Sequence, residues 1–332
     1  MSIGVVIVNY NLASQTIDAA LSVLGDEPDA KIVIVDNHSI DDSRETVDGI
    51  LSGRVPHHPT APGGMYGQPV FAPLSDVRYC PHGQTPSDSD NIIVLHADQN
   101  AGFGAGCNIG LSYLACTIDP EIFVLLNPDA VVANGAIKAW RARLDEPGAG
   151  VCGASLVRFE DTNCIQAFGG AALNPMTLLG NNIGAGRSYA DLPVRDSVEA
   201  AMDYPLGAAM AFRRDYYENI GDFDERYFLY YEEADLVRRG GDQYRPVWAP
   251  DAIVYHGHGA SAGSRVDGGG RSATSDYHMA RSRLQYAMKW VPARTPLIFL
   301  MTLMQAFRRL LRGKPANARA IFLGGFGLQY DL

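Results

Sequence analysis

The sequence predicts an α/β fold in which a mostly parallel sheet is covered by helices on both faces. Short apolar runs that are expected to be buried strands occupy residues 3–8, 31–35, 92–95 and 121–126. Segments with helical spacing of apolar residues alternate with them, at residues 12–24, 39–50 and 105–115. Strands that are apolar without interruption are typical of a parallel sheet buried on both faces. The chain has 332 residues, 47% of them hydrophobic, which is ample for such a core.

The alternation is interrupted once and becomes less regular later. Residues 52–90 are rich in proline, glycine and serine and are predicted to form an inserted loop. Beyond residue 150, strands are expected at residues 151–157, 208–212, 246–249 and 253–255. A glycine- and serine-rich stretch at residues 257–275 is predicted to be flexible, and helices are predicted at 276–291 and 295–312. A sheet-forming body should therefore be followed by a helical extension.

Charge is unevenly distributed along the chain. The net charge of −10 argues against a nucleic-acid partner. Residues 277–330 nevertheless contain nine Lys and Arg and no Asp or Glu. The helix predicted over 295–312 places a broad apolar face beside these cations, so residues 295–314 are expected to touch a membrane surface. Internal packing and a homodimer interface are the alternatives.

The sequence predicts a cytoplasmic protein. A peripheral position on the inner face of the cytoplasmic membrane is compatible with that prediction. The apolar stretch at residues 296–304 is shorter than the roughly 20 residues that a membrane helix needs. No signal peptide is predicted, because no basic region precedes the first apolar run. Five Cys without a C-x-x-C pair suit reduced thiols.

Polar residues follow four of the predicted strands. Because the carboxyl ends of parallel strands meet at one sheet edge, where ligands bind, these residues are expected to share a crevice. They are Asn9, Tyr10, Asp36, Asn37, Asn100, Gly102, Asn108, Asn127 and Asp129. The glycine-rich segment from Gly102 does not fit the dinucleotide pattern G-x-G-x-x-G, so its glycines should permit close ligand approach or helix packing. Asp129, at the end of an apolar run, also suits a hard cation.

Three acidic residues fall within four positions after an aromatic stretch: Glu232, Glu233 and Asp235. Carboxylates beside aromatic walls can act as general bases, but an acidic helix N-terminus has the same composition, so both interpretations stay open. If a helix begins at Glu232, then Glu232 and Asp235 share a face and Glu233 points elsewhere. His256, directly after the last predicted strand, is a candidate ligand for a metal or a phosphate.

Taken in order, these motifs resemble family 2 glycosyltransferases, in particular the bacterial rhamnosyltransferase-like branch. The matching segments are residues 6–11, 35–41, 100–110, 126–129 and 221–239, followed by His256. The resemblance covers about residues 3–260, apart from the insertion. As an ordered set the motifs are highly specific, although each one alone is not.

The resemblance implies a GT-A fold: a Rossmann-like, mostly parallel central sheet flanked by helices, with a C-terminal helical extension. The glycosyltransferase domain would span residues 1–265. Its nucleotide-binding half would be about 1–130, with the insertion 52–90, and its acceptor half about 131–265. Residues 266–332 would form a flexible loop and a basic amphipathic helical extension.

The resemblance also implies roles for single residues. Glu233 corresponds to the catalytic base, with Glu232 as its nearest rival, and Asp235 and Arg239 would organise the site. Asp36 would hold the base or ribose of the nucleotide, and Asn108 would line its pocket. Asn127 and Asp129 would form a variant D-x-D motif, and Asp129 and His256 would hold Mg²⁺ or Mn²⁺. Asn9, Tyr10, Asn37, Asn100, Gly102 and Arg239 would complete the nucleotide-sugar site.

The implied reaction is an inverting transfer from a nucleotide-diphosphate sugar, favouring dTDP-rhamnose, to a glycan or polyprenyl-linked glycan in bacterial polysaccharide assembly. Two departures from the family pattern bear on it. Asn127 replaces the first acid of the D-x-D motif, and Glu232-Glu233 replaces the usual Glu-Asp pair. The alternatives are a UDP-hexose donor on the same fold, or a scaffold that binds sugar nucleotides without catalysis.

Overall fold

The computed structural model describes residues 2–64, 66–257 and 271–330. The strands are β1 Ile3–Asn9, β2 Lys31–Asp36, β3 Tyr79–Cys80, β4 Ile92–His96, β5 Ile122–Leu126, β6 Ala130–Val132, β7 Ala149–Arg158, β8 Ile165–Phe168, β9 Gly170–Leu173, β10 Gly180–Asn182, β11 Tyr204–Pro205, β12 Ala209–Arg213 and β13 Arg245–His256. The helices are α1 Ala13–Asp26, α2 Ser43–Leu51, α3 Phe103–Thr117, α4 Ala136–Leu144, α5 Arg195–Ala201, α6 Arg214–Ile220, α7 Glu232–Gly240, α8 Ala273–Trp290, α9 Thr295–Leu311 and α10 Pro315–Gly325.

One large sheet organises the molecule, in the order β3-β4-β2-β1-β5-β12-β7-β13-β6, with β8 added to β7. Strands β1 to β5 are parallel, and β7 and β13 run in the same direction, because β12 is antiparallel to both β5 and β7. The carboxyl ends of β1, β2, β4, β5 and β13 therefore meet at one edge. The prediction of a mostly parallel sheet is confirmed.

Both faces of the sheet are covered, as the uninterrupted apolar strands predict. Alternate residues of each strand point to opposite faces: Val5 and Ile7 pack with α1, α2 and α4, whereas Val6 and Val8 pack with α3, α6 and α7. The glycines of α3 permit close packing on β1. An added Cβ at Gly110 would lie 2.5 Å from Val6 Cγ1. Helix packing thus accounts for this part of the glycine-rich segment.

The insertion 52–90 is mostly irregular and lies against α1. Its chain hydrogen-bonds to that helix, where Ala72 N donates to Leu21 O at 3.0 Å, and His57 Nε2 lies 2.7 Å from Asp18 Oδ1. Among the described residues of the insertion, only a short 3₁₀ turn at residues 74–76 and the two-residue strand β3 are regular. The insertion therefore covers one helix and extends the sheet by one short edge strand.

The second half departs from the predicted elements in two places. The strands expected at 246–249 and 253–255 are one strand, β13, with a register shift between Trp248 and Ile253. The extension has three helices where two were predicted, because α10 follows α9 after a turn at Gly313, whose φ is 70°. Most of the predicted flexible stretch 257–275 lies outside the described residues.

The helical extension packs on the body through an apolar cluster. Leu284 and Tyr286 of α8 and Ile298 of α9 join Tyr231 and Ala234 around the start of α7. In the described part of the chain, no helix is both long enough and apolar enough to cross a membrane. The division into the three predicted segments stays a prediction.

Candidate active site

The start of α7 is set by unusual backbone geometry. Tyr230 and Tyr231 both have left-handed backbones, with φ of 70° and 72°, and the helix begins at the next residue, Glu232. Left-handed φ is costly for residues with a Cβ and is found where function or packing requires it. Here the turn delivers Glu232 and Glu233 into one cavity.

This cavity has a volume of about 540 Å³ and lies beyond the carboxyl edge of the sheet. Its lining includes Asn127 and His256 together with Glu232 and Glu233. The small sheet β10-β9-β11 and helix α8 close its remaining sides through Asn182 and Met279 among others. Four of the predicted site residues thus share one space.

Glu233 is held in place by the backbone. Gly207 N donates a hydrogen bond to Glu233 Oε1 at 3.0 Å, and an added Cβ at Gly207 would lie 2.5 Å from that oxygen. Burial raises the pKa of Glu233. A partly bonded carboxylate with a raised pKa is suited to accept a proton near neutral pH.

Glu232 is more deeply buried than Glu233. Only 2% of the residue is exposed, and its Oε2 has no hydrogen-bond partner among the described residues. Burial, and then the negative charge of Glu233, raise its pKa well above the ordinary value. Glu232 and Glu233 both line the cavity, whereas Asp235, which is predicted to share a helix face with Glu232, does not.

Asp129 and His256 lie side by side because of sheet pairing. His256 ends β13 opposite Ala130 of β6, and its Nε2 is 3.3 Å from Asp129 Oδ1. Asp129 is 8% exposed, and neither carboxylate oxygen has a hydrogen-bond partner among the described residues. Asn127 Nδ2 is 3.2 Å from His256 Nε2, on the cavity side.

Gln166 orients the ring of His256. Its Oε1 lies 2.7 Å from His256 Nδ1, which is the geometry of a ring N–H donating to an amide oxygen. That arrangement leaves the lone pair on Nε2, facing Asp129. Metal-binding histidines are commonly oriented by such a contact on the other ring nitrogen.

These donors fit a divalent cation. A buried carboxylate without hydrogen bonds and an oriented imidazole nitrogen are the ligand types that Mn²⁺ and Mg²⁺ sites use, together with oxygens of a bound diphosphate. In the part of the chain that the structure describes, no cluster of three or more His, Cys, Asp and Glu could hold a metal alone. Asp129 and His256 would therefore have to share the ion with the donor.

Asp36 occupies a very different environment at the end of β2. Its carboxylate accepts hydrogen bonds from Asn9 Nδ2 at 3.0 Å, from the Ser39 backbone at 3.2 Å and from Arg44. Burial raises its pKa, but the hydrogen bonds from Ser39, Arg44 and Asn9 outweigh burial and hold the pKa below its usual range. Tyr10, the neighbour of Asn9, is half-buried at the same edge.

A second polar group links the end of β2 to the segment before α7. Asn37 Nδ2 donates to Asn100 Oδ1 and to Gly102 O, both at 3.1 Å. Gly102 has a φ of 102°, and an added Cβ would lie 2.2 Å from Phe228 O. Glycine is therefore required at 102 by both backbone conformation and contact.

Three predicted site residues are instead engaged within the fold. Asn108 exchanges hydrogen bonds with Phe223 and also donates to Glu225. Arg239 donates to backbone oxygens of residues 220 and 222 and pairs with Asp235. None of the three lines the cavity. They hold the segment 221–239 in place, and direct contact with a donor stays a prediction for them.

Sequence reasoning missed Gln166, Gly207 and Arg271, which all line the cavity. The only signal for Gln166 is an amide inside an otherwise apolar strand. Neither Gly207 nor Arg271 belongs to a local sequence pattern. Gly207 matters because it contacts Glu233 in the folded chain, and Arg271 because it lies in the cavity wall just before α8.

No protein-family model matches the chain. The low-salt glycan biosynthesis hexosyltransferase Agl10 of Haloferax volcanii is 23% identical over 162 residues, which is 49% of this chain and 48% of that protein. The match thus spans about half the length of that curated relative.

Two solved structures share the fold. One is the mannosyltransferase PcManGT from Pyrobaculum calidifontis in complex with GDP-Man and Mn²⁺, with a TM-score of 0.53, 14% identity, and coverage of 99% of this chain and 76% of that one. The other is GalNAc-T7 with UDP, GalNAc and Mn²⁺, with a TM-score of 0.56, 14% identity, and coverage of 87% and 50%. The chain therefore has the GT-A glycosyltransferase fold.

Proposed function

We propose that this protein is an inverting glycosyltransferase of the family 2 type that moves a sugar from a nucleotide-diphosphate donor to a hydroxyl of a glycan acceptor. One observation carries the proposal. A single cavity at the carboxyl edge of the sheet contains a carboxylate pair with raised pKa values, and faces His256 with the unbonded Asp129 carboxylate beside it. These are the two halves that a displacement at an anomeric carbon requires.

Glu233 acts as the base in this proposal. It takes the proton of the acceptor hydroxyl as the oxygen attacks the anomeric carbon from the face opposite the leaving diphosphate, which inverts the configuration. The hydrogen bond from Gly207 N fixes one oxygen, so the other is free to face the acceptor. Because the two carboxyls are adjacent and buried, the pair is expected to share a proton, with Glu232 as its holder.

The leaving diphosphate is proposed to lie beside Asp129 and His256. Asp129 and His256 would hold a divalent cation there, and when bound the cation neutralises charge on the leaving group. Gln166 keeps the Nε2 lone pair of His256 directed at that position. Arg271 lines the same cavity and adds a positive charge near the diphosphate.

The nucleotide is proposed to extend from the cavity along the sheet edge to Asp36. Asp36 is ionised and preorganised by its neighbours, so it can accept hydrogen bonds from a base or a ribose without rearranging. The path between these positions is framed by Asn9, Tyr10, Asn37 and Asn100. Gly102 allows the backbone there to lie close to that of Phe228.

The favoured donor is dTDP-rhamnose, on the resemblance of the motifs to the rhamnosyltransferase-like branch, with a glycan or polyprenyl-linked glycan of bacterial polysaccharide assembly as acceptor. UDP-hexoses are the alternative donors. The two similar solved structures are complexes with GDP-Man and with UDP and GalNAc, so the fold accommodates different nucleotides.

The test is a thermal-shift panel of nucleotide sugars, with and without Mn²⁺, followed by product analysis. A true donor at 100 times its Kd should stabilise the folded protein by about 2.7 kcal/mol. Coupling constants of the new anomeric proton report inversion or retention. Transfer with retention would refute the proposed mechanism, and stabilisation without any transfer would favour a sugar-nucleotide-binding scaffold.

A further inference from the structure

An ordinary surface helix buries its apolar face and exposes its polar face. Helix α9 instead exposes most of its large apolar side chains. Its buried face is formed by Ile298, Thr302 and Ala306, of which one is polar and one is small. Its exposed face has large apolar side chains at the i, i+3 and i+4 spacing of a single stripe. These are Leu297, Leu300, Met304, Phe307 and Leu311, which are 38%, 54%, 50%, 60% and 71% exposed.

The buried face is polar for a reason internal to the fold. Arg283 of α8 is 1% exposed and donates to Thr302 Oγ1 at 2.6 Å and to Gln305 Oε1 at 3.2 Å. These contacts fix which side of α9 faces the body. Rotation of the helix to bury its large apolar side chains would leave the Arg283 guanidinium buried without these acceptors.

The exposed apolar surface continues onto α10. Phe322 and Phe326 are 46% and 49% exposed, and the ring of Phe326 packs edge-on against Phe299 of α9, with 5.0 Å between centroids. Nine of the seventeen exposed large apolar side chains of the described residues lie between residues 297 and 328. Contiguous exposed apolar surface of this kind marks an interaction site.

Cations border this surface. On α9, Arg308 directly follows Phe307 and Arg312 directly follows Leu311 in the sequence. On α10, Arg319 lies one turn before Phe322. All three are exposed, and residues 277–330 contain no acidic residue that could pair with them. The arrangement is complementary to a surface that is apolar inside and anionic outside.

We infer that the outer faces of α9 and α10 bind the surface of an anionic phospholipid bilayer. The helices would lie in the interface, with Leu300, Phe307 and Phe322 among the acyl chains and Arg308 and Arg312 at the phosphate groups. A second copy of this chain fits less well, because a symmetric contact would place these arginines near their own copies without acidic partners.

The location of this surface gives the contact a use. Helix α8 packs against both α9 and α10 and also places Met279 in the wall of the cavity. A bilayer bound at α9 and α10 would therefore be separated from the cavity by helix α8, which contributes to the cavity wall. Bilayer binding itself does not depend on the proposed transfer reaction, so the two can be tested separately.

The experiment is vesicle flotation of the full chain at low salt. Vesicles of phosphatidylcholine alone are compared with vesicles that also contain phosphatidylglycerol, and the oligomeric state is measured by light scattering. Leu300→Ser with Phe307→Ser removes apolar contacts, and Arg308→Gln with Arg312→Gln removes charge. Matched controls alter equally exposed residues elsewhere: Leu192→Ser with Val194→Ser, and Arg78→Gln with Lys138→Gln.

We expect the wild type and both controls to bind the anionic vesicles. The serine pair should weaken partitioning about tenfold, and the glutamine pair should weaken it about fivefold for each arginine and reduce its salt dependence. Because all altered side chains are exposed, melting temperatures should stay unchanged. Absence of wild-type binding, or equal losses in the controls, would overturn the inference. A wild-type dimer that the serine pair dissociates, without vesicle binding, would instead identify the face as a homodimer interface.

Discussion

The two ends of the proposed donor-to-acceptor path use the same chemical group in opposite ways. At the nucleotide end, Asp36 is buried but surrounded by donors from Asn9, Ser39 and Arg44, and its pKa is lowered. At the acceptor end, Glu232 and Glu233 are buried with few donors, and their pKa values are raised. Burial alone therefore does not decide the protonation of a carboxyl group; the number of hydrogen bonds offered to it does.

This contrast separates a binding group from a reacting group. An ionised, fully bonded carboxylate holds a ligand in one orientation and has little tendency to take up a proton. A poorly bonded pair is costly to keep charged, so it takes up a proton more readily than an ordinary carboxylate does. The following predictions test the contrast, in order of decreasing expected effect.

Replacement of the base should have the largest effect. Glu233→Gln keeps the shape of the side chain but removes its basicity, so turnover should fall roughly 10²–10⁴-fold. Donor affinity should change little, because the base faces the acceptor. Steady-state rates beside donor binding measure both quantities. Near-normal turnover in Glu233→Gln, with collapse in Glu232→Gln, would assign the base to the preceding residue.

Loss of the Asp129 carboxylate should reduce the affinity for Mn²⁺ in the presence of nucleoside diphosphate. Asp129→Ala leaves His256 as the single protein ligand of the proposed pair, and even the loss of an outer-shell partner costs roughly 10–100-fold in metal affinity. Calorimetric titration of Mn²⁺ measures the change. An unaltered affinity would show that the cation, if one binds, is held elsewhere.

Asp36→Ala should weaken the binding of free nucleoside diphosphate about tenfold, the value of one hydrogen bond to a charged group. The loss should be the same with chelator as with Mn²⁺, because Asp36 lies at the nucleotide end rather than beside Asp129. Fluorescence titration of the nucleotide under both conditions is the check. A loss confined to the Mn²⁺ condition would place the nucleotide differently.

The smallest effect concerns stability and its pH dependence. A raised pKa in the folded state means that Glu232 opposes folding once the unfolded carboxyl is ionised, so its destabilising effect grows as pH rises above about 4.5. Glu232→Gln should therefore raise Tm at pH 7 by about 1–2 °C for each kcal/mol relieved. The gain should disappear below pH 4. Scanning calorimetry at both pH values tests this, and a pH-independent gain would point to packing instead.

Much of the fold could be predicted from the sequence because the signals are local. Uninterrupted apolar strands alternating with helices specify a parallel sheet, and its geometry brings Asn9, Asp36 and Asn127 to one edge without further information. The motif order adds the GT-A fold, which the solved structures support. The sequence predicts two strands where the structure has the single strand β13. Residues 250 and 251, Pro and Asp, resemble a turn, whereas the structure accommodates them within a register shift between Trp248 and Ile253.

The details of the site depended on contacts that local patterns do not contain. Helical spacing alone predicts that Glu232 and Glu233 point in different directions, and it does not reveal that both line one cavity, after two residues with left-handed backbones, Tyr230 and Tyr231. Gln166 approaches His256 from 90 residues away in sequence, and Gly207 approaches Glu233 from 26. Such pairings follow from sheet order and loop paths, which are known only once the chain is folded.

The carboxylate of Asp235 has a consequence for where this protein can be divided. It is 0% exposed and is bonded by Tyr227, Arg239, Lys289 and Trp290, the last two from the far end of α8. A chain ending at residue 265 would leave this buried carboxylate without half of its partners. That loss should destabilise the folded state by about 3–5 kcal/mol. A chain ending just after residue 290 would keep them all. The smallest cooperative folding unit therefore extends through α8, beyond the last strand of the sheet.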